Sequence, residues 1–484
     1  MNRIKYLLIG LLACFSLGSC KKFLTVNPKT DITQDDFFSS EGGFKDALSG
    51  VYIQMKGTAA YGEALTMTTV EQLISNWDVT NGSTEQKIGA YDYNDTGVQG
   101  RMSAIFAQAY ATTAGINAIL GQIDQRRDVF KTPGMYEQIK GECLALRAYC
   151  LFDVLRLFGP VPANAGNGLI LPYPVSISKS PNQLISYNDF KSQLLSDLSA
   201  AVALLQNDPI RSYSLDQLGK PGTAPFIPAD NFMAYRYLKM NYYAVKAVQA
   251  RMYLWFNDQG NAYACAKEVI DAKNGDGTVK FKLGLAADMT AKDYALTAEQ
   301  IFGLYDWDLY DRYTKIYGTG LLKKGSNETM VKTQLYGNTG TDIRETSLWS
   351  LVTQFNQSKT YIINKYQVSQ AQSSIQLDFK RIPMLRISEL YLIAIETAPA
   401  AEAQTLWNAY RLARNIVSTP LPTGTAPLQA ILMPEYRKEF FAEGQAFFMY
   451  KRMNAGAPNV LWTPTGVSIN YVVPLPQGEL VKTY

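Results

Sequence analysis

GECLALRAYCLFDVLRLFGPVP, residues 141–162, is the stretch from which the fold can be read. Ile139, Cys143, Leu146, Cys150, Val154 and Phe158 recur at steps of three and four, which predicts a helix from about Tyr136 to Phe158 carrying one apolar stripe. Gly159, Pro160 and Pro162 end it, since proline lacks an amide hydrogen and its ring clashes with a preceding helical turn. Cys143 and Cys150 lie seven apart in this helix, about 10.5 Å along its axis and beyond the roughly 7 Å reach of a disulfide. They read as small apolar packing residues. Of the five cysteines, Cys14 and Cys20 are N-terminal, so the fold holds an odd number, with neither a disulfide framework nor a zinc spacing.

Outward from this helix the same period returns. Ser39, Ser40 and Glu41 offer caps ahead of Phe44, Ala47, Leu48, Val51 and Tyr52, which make an apolar helical face. From Gly159 to Pro181 proline and glycine predict a surface loop, and Tyr187 to Leu205 returns to helix. Tyr242 to Phe256 places Ala244, Ala247, Ala250 and Leu254 on one face; Gly260 reads as a stop before a helix over Ala262 to Ala272. Small residues at this spacing let two antiparallel helices approach closely, the logic of tetratricopeptide-type pairs of about 34 residues. A second pair spans Leu385 to Ala398 and Ala400 to Val417, with Pro399 at the junction.

The expected fold class is therefore mainly α: tetratricopeptide-like helical pairs forming a superhelix, with long irregular loops and minor β hairpins. Its helical framework covers about 100–158, 187–272 and 383–456. Two stretches without helical period, about 60–100 and 273–382, interrupt it, and their aromatic content argues that they are ordered and functional. Asn274 to Gly277 reads as a hairpin turn before Val279 to Leu283, and Tyr361, Ile362, Ile363 and Tyr366 as strand.

At the N-terminus, Arg3 and Lys5 precede an uncharged, mostly apolar run from Tyr6 to Leu17, then Gly18, Ser19 and Cys20. This is the layout of a secretory signal peptide over residues 1–19. The run is shorter than the roughly 20 residues a membrane-spanning helix needs. LGSC is similar to a bacterial lipobox, in which Cys20 is diacylated on sulfur and becomes the mature N-terminus; the alternative is an ordinary signal peptide with a chance cysteine. Acyl chains bury about 0.8 kcal/mol per methylene, so several on one cysteine would anchor the protein stably. Residues 20–40 read as a polar tether, and 41–484 as a single domain.

Cleavage after Ser19 removes Arg3 and Lys5 and no acid, so 46 basic residues become 44 against 42 acidic, a net charge of +2. A near-neutral chain with scattered Lys and Arg offers no basic stripe for nucleic acid. The sequence contains no histidine, which removes His-based triads, imidazole metal sites and His general bases together. It also contains neither a GxxxxGK[ST] phosphate loop nor GxGxxG, and SxxK at Ser176 and Lys179 stands without companion motifs. Cofactors and metal ligands are not expected, and neither is catalysis.

The quoted segment resembles the SusD/RagB consensus through Glu142, Leu146, Arg147, Ala148, Tyr149, Phe158, Gly159, Val161 and Pro162. Further resemblances follow in family order: Asp197 and Leu198; Ala250, Arg251 and Leu254; RISELYLIAIE at Arg386 to Glu396; Asn408 and Arg411; Glu443 and Gly444; and PLPQGEL at Pro474 to Leu480. Ala446 and Met449 stand where the family usually has Arg and Asp, and the second Arg of its Asn-x-x-Arg-x-Arg pattern is displaced to Arg414. The resemblance implies an outer-membrane lipoprotein facing the cell exterior. Its implied role is to bind an oligosaccharide or similar nutrient, without catalysis, and deliver it to a SusC-type TonB-dependent transporter.

Sugars are bound by stacking ring faces on flat aromatic side chains while amides and carboxylates fix the hydroxyls, so a cleft needs exposed aromatics beside short polar residues. Asn76, Trp77 and Asp78, with Tyr91 and Tyr93 close behind, fit this need, as do Tyr305, Trp307 and Tyr310. Both groups fall where the resemblance implies ligand loops. The competing reading makes Tyr305, Trp307 and Leu309 the buried face of a strand; Trp349 and Trp407 read as core. Asp306, Asp308 and Asp311 lack EF-hand spacing for calcium. Glu435, Glu439 and Glu443, four apart, read as surface ion pairs with Arg437 and Lys438. Two alternatives to a binding lipoprotein remain: a surface glycoside hydrolase using Asp78 and Asp308, and a helical-repeat scaffold without a small ligand. New reducing ends from an oligosaccharide would mark the first, and no uptake of sugar the second.

Overall fold

The quoted segment is the axis of the molecule. The computed structural model describes residues 33–354, 357–368 and 380–480. The expected signal peptide, Cys20 and most of the tether lie outside the described residues. Numbering only helices of two turns or more, α1 is Glu41–Met55, α2 Thr96–Ile123, α3 Met135–Phe158, α4 Tyr187–Leu204, α5 Tyr242–Trp255 and α6 Gln259–Ile270. The C-terminal part adds α7 (Ile387–Thr397), α8 (Ala400–Ala413), α9 (Thr425–Glu439) and α10 (Gln445–Arg452). Each packs on the next through α4, and again from α5 through α8, which builds a succession of packed helices into one mainly α fold. Every residue of α3 except Glu137 and Lys140 is buried, as expected of a helix packed on all sides.

Strands are few and short. Among the described residues they form three antiparallel pairs: β1 (Leu169–Pro172) with β2 (Leu184–Ser186), β3 (Gln300–Tyr305) with β6 (Arg381–Arg386), and β4 (Trp349–Thr353) with β5 (Lys359–Ile363). Tyr366, expected in strand, lies beyond β5, its hydroxyl donating to the Ala442 carbonyl at 2.7 Å.

Because α3 is buried all round, its polar residues must find partners within the protein. Arg147 makes a two-pronged pair with Asp197 of α4, both contacts at 2.7 Å. Glu142 accepts from Arg236 and, at 2.5 Å, from the Tyr52 hydroxyl of α1. On α5, Arg251 pairs with Glu389 of α7, both contacts at 2.6 Å. The polar positions that carried the resemblance are thus the interior ties between helices. Lys451, 0% exposed, donates to the carbonyls of Leu157 and Gly159 at 3.0 and 2.7 Å, closing the C-terminal end of α3 where free carbonyls gather.

Three expectations need correction. The structured chain begins before residue 41: Thr33 caps a single helical turn, Gln34–Phe37, and Asp35 pairs with Arg126 at 2.6 Å. Gly260 does not stop a helix but lies in the first turn of α6; the turn falls at residues 256–258, where Asp258 caps α6 by accepting from the Asn261 amide. Most consequentially, Glu435, Glu439 and Glu443 are 3, 2 and 4% exposed. They meet Arg344, Lys365, Arg386 and Arg414, brought from distant parts of the chain, with Asp342 and Glu299 completing the cluster. Regular spacing placed the three acids on one side, as expected, but that side faces inward. Gly444 follows with φ +72°, and a Cβ there would lie 1.9 Å from the Leu65 carbonyl oxygen, so the Glu-Gly pair joins the cluster to a turn only glycine can make.

Candidate functional site

The excursion at 63–101 is held against residues 315–325 by backbone and side chain together. Asp78 donates its amide to the Lys323 carbonyl at 2.9 Å and accepts from the Gly325 amide at 2.6 Å. Its carboxylate also meets Lys324 at 3.0 Å. Burial pushes the Lys324 ammonium down to about 8, against the pull of Asp78; the same ammonium lies 3.9 Å from the centre of the Trp462 ring. A cavity of about 330 Å³ opens between the two segments, at the lower end of the range for small-molecule sites.

Its floor is apolar, with Trp77, Ile88, Ile316 and Leu322, and its rim is polar, with Asp78, Thr80, Ser83, Glu85, Arg101 and Lys315. Each acid of the cavity is tied to a cation: Asp78 to Lys324, Glu85 to Arg101 at 3.3 Å, and Glu63 to Arg312 at 2.9 Å. Arg312 continues to Asp306 at 2.8 Å, which links the cavity to the surface loop bearing Trp307. Gln72 lines the wall, 3% exposed, and its Oε1 has no hydrogen-bond partner. A buried acceptor without a donor is costly, and a hydroxyl-bearing ligand would relieve it.

The residues expected at the site do not converge. Asn76 and Trp77 are corrected from ligand contacts to interior residues, 0 and 2% exposed. Asn76 bridges Glu71 and Arg437. Trp77 donates to the Met67 carbonyl at 2.9 Å and packs on Tyr317 and Phe441, so it supplies floor and no open ring face. Asp78 reaches the rim. Tyr91 is half-buried and donates to the Leu73 carbonyl at 2.6 Å; Tyr93 donates to the Asn470 carbonyl at 2.8 Å beside a different hollow, closed by residues 474–478. Tyr305 ends β3 and lines a third cavity, and Tyr310 is half-buried against the core. Trp307 is 60% exposed, with the Lys380 ammonium 3.8 Å from its ring centre. The buried-strand alternative fails: β3 ends at Tyr305, its one residue that is not buried, and a turn then takes Trp307 outward. Trp349 and Trp407 are core, at 8 and 1% exposed. Asp306 is engaged by Arg312, and among the described residues no cluster of three carboxylates or thiols is placed to hold a metal.

Sequence reasoning missed Gln72, Glu85, Arg101 and Lys315. Arg101 lies near the start of α2 and the other three on helical turns of four to six residues, too short for a period that says which way a polar side chain points.

Comparison with known proteins bears on the fold and family. Residues 22–216 match a SusD-like family model described as starch-binding, associating with the outer membrane. A SusD-like protein of Formosa agariphila is 25% identical over 167 residues, which is 33% of this chain and 31% of that protein. The fold is similar to a SusD superfamily protein from Bacteroides thetaiotaomicron, with a TM-score of 0.66 and 18% identity over 91% of this chain and 97% of the other. A laminarin-binding SusD-like protein matches with a TM-score of 0.63, again at 18% identity, over 91% and 97%. No helix among the described residues is long and apolar enough to cross a membrane. Residues 22–216 are thus similar to the SusD-like family, and nine-tenths of the chain shares its fold with a SusD superfamily structure.

Proposed function

We propose that the chain binds a neutral or mixed-charge oligosaccharide in the cavity between residues 63–101 and 315–323, without cleaving it. The observation that carries this reading is the cavity's make-up: an apolar floor for a ring face beneath hydroxyl, amide and paired charged groups that can divide the sugar hydroxyls among them. The relatives named for starch and laminarin support the same ligand class. Trp307 extends the site as an outer platform for a longer chain.

Hydrolysis is disfavoured on chemical grounds. A glycosidase needs one carboxyl kept protonated in apolar surroundings and a second acid across the bond, whereas Glu63, Asp78 and Glu85 are each bonded to a cation. Asp308, the other acid considered, is not part of the cavity wall.

In this reading Cys20 carries the lipid that holds the protein at the outer membrane facing outward, and a SusC-like TonB-dependent transporter receives the ligand. Incubation with a panel that includes laminarin and starch oligosaccharides tests the binding step. Depletion of a sugar without new reducing ends supports it; new reducing ends point to hydrolysis, and no depletion by any glycan removes it. Labelled palmitate that is lost on Cys20→Ala would support the anchor, and retention of label would refute it.

A further inference from the structure

A second cavity, of about 440 Å³, shares no wall with the first and differs from it in charge. It lies between α1, the segment 231–239 and the end of β3. Tyr52, Phe232, Tyr235 and Tyr305 supply aromatic surface, Lys56 and Lys239 supply positive charge, and no carboxylate lines it. Neither lysine forms an ion pair with a described residue. Lys239 instead places its ammonium 4.8 Å from the Tyr52 ring centre and 4.4 Å from that of Phe232. Such contacts favour a cation but satisfy none of its three hydrogen-bond donors. The acid whose charge reaches Lys239 is Glu142, and its carboxylate is already bonded to Arg236 and to the Tyr52 hydroxyl. Burial accordingly lowers the Lys239 ammonium from its ordinary pKa.

Backbone geometry points the same way. Tyr235 is held at φ +52°, a left-handed conformation that disfavours a bulky residue, by its amide bond to the Leu218 carbonyl at 2.9 Å and by its own carbonyl accepting from Leu238 at 2.8 Å. Strain of this kind persists where the surrounding structure over-determines it. Tyr235 thereby lines the same cavity as Lys56 and Lys239.

We propose that this cavity is a separate binding site for an anionic, ring-bearing small molecule, its carboxylate on Lys239 and Lys56 and its ring against Phe232, Tyr235 and Tyr305. That the ring is a sugar, hence a uronate, rests on the proposed function; that the ligand is an anion does not.

The test is calorimetric titration of the whole protein with methyl glucuronide, methyl glucoside and benzoate, on the native chain and on Lys239→Met, Lys239→Arg and Lys220→Met. The glucuronide should bind with at least about tenfold preference over the glucoside, the scale of a charge-assisted hydrogen bond. Lys239→Met should abolish that preference, Lys239→Arg should keep it, and Lys220→Met, on the surface and in the wall of neither cavity, should not alter it. A thermal melt of each variant checks that the fold is intact. Benzoate bound at Lys239 with no response to glucuronide would uphold the anion site while removing the sugar assignment. Equal binding of glucuronide and glucoside, binding indifferent to Lys239→Met in a folded variant, or no response to either anion would overturn the proposal.

Discussion

Replacing Glu439 by glutamine tests the buried cluster that joins the C-terminal helices to the loops. Its carboxylate accepts from Arg344 at 3.1 Å, Tyr410 at 3.1 Å, Arg386 at 2.7 Å and Arg414 at 2.9 and 2.7 Å. Burial raises its pKa, but the Arg414 and Arg386 charges outweigh that and hold it well below the usual carboxylate range. Glutamine keeps the shape, removes the charge and turns an NH₂ group toward guanidinium donors. Removing one partner of a buried pair costs about 3–5 kcal/mol, because the remaining charges stay buried without compensation. Unfolding entropy of about 2.1 cal/mol/K per residue gives about 1 kcal/mol/K for the 484 residues, so Tm should fall by about 3–5 °C. Differential scanning calorimetry at pH 7, with urea titration beside it, measures the loss. The pair Glu439→Met with Arg414→Met should lose less than the sum of the two single changes, since it removes opposite charges together. A loss below about 1 kcal/mol for Glu439→Gln, the value of an exposed pair, would refute the reasoning and put these acids back on the surface.

Three further outcomes follow from the same geometry. Trp77→Ala should destabilise by about 3–5 kcal/mol as a core truncation, whereas Trp307→Ala should leave Tm unchanged and weaken glycan affinity by about 1–3 kcal/mol if a base-like stacking scale applies to sugars; melts and titrations on both variants separate the roles. Glu435 is raised by burial but held down at about 2 by Arg344 and Lys438. Since the folded value lies below the unfolded one, roughly 3 kcal/mol of stability is present above about pH 4.5 and lost as pH falls toward 2, which Glu435→Gln should remove from an acid-unfolding curve. Glu71 is the opposite case: burial pushes it up to about 7 despite bonds from Ala442, Asn76 and Gly444. Its contribution is greatest below about pH 4.5 and fades as pH rises to 7, and a pH series of urea midpoints on Glu71→Gln should lose that slope.

The helical frame was legible because period survives burial. Met135–Phe158, the pair at Tyr242–Trp255 and Gln259–Ile270, and the junction at Pro399 stand within a few residues of where spacing put them. What period does not encode is what a face meets. Glu435, Glu439 and Glu443 looked solvated because their four cationic partners come from residues 344 to 414, visible only once the chain has folded. Trp77 misled for a related reason: the polarity of Ser75, Asn76 and Asp78 suggested water, but Asn76 serves a buried bond to Arg437 and Asp78 pins two loops together. Trp307 reached the surface as its acidic neighbours suggested. Lys239 gave no signal, since an ammonium without a partner is a property of its surroundings.

The most direct test of the central claim is titration of the purified protein with laminarin and starch oligosaccharides, comparing the native chain with Arg101→Ala, a change at the rim of the 330 Å³ cavity. Saturable binding of at least one glycan is expected, weakened about tenfold or more by Arg101→Ala at unchanged Tm, with no new reducing ends. Affinity indifferent to that substitution, or release of shortened sugars, would contradict it.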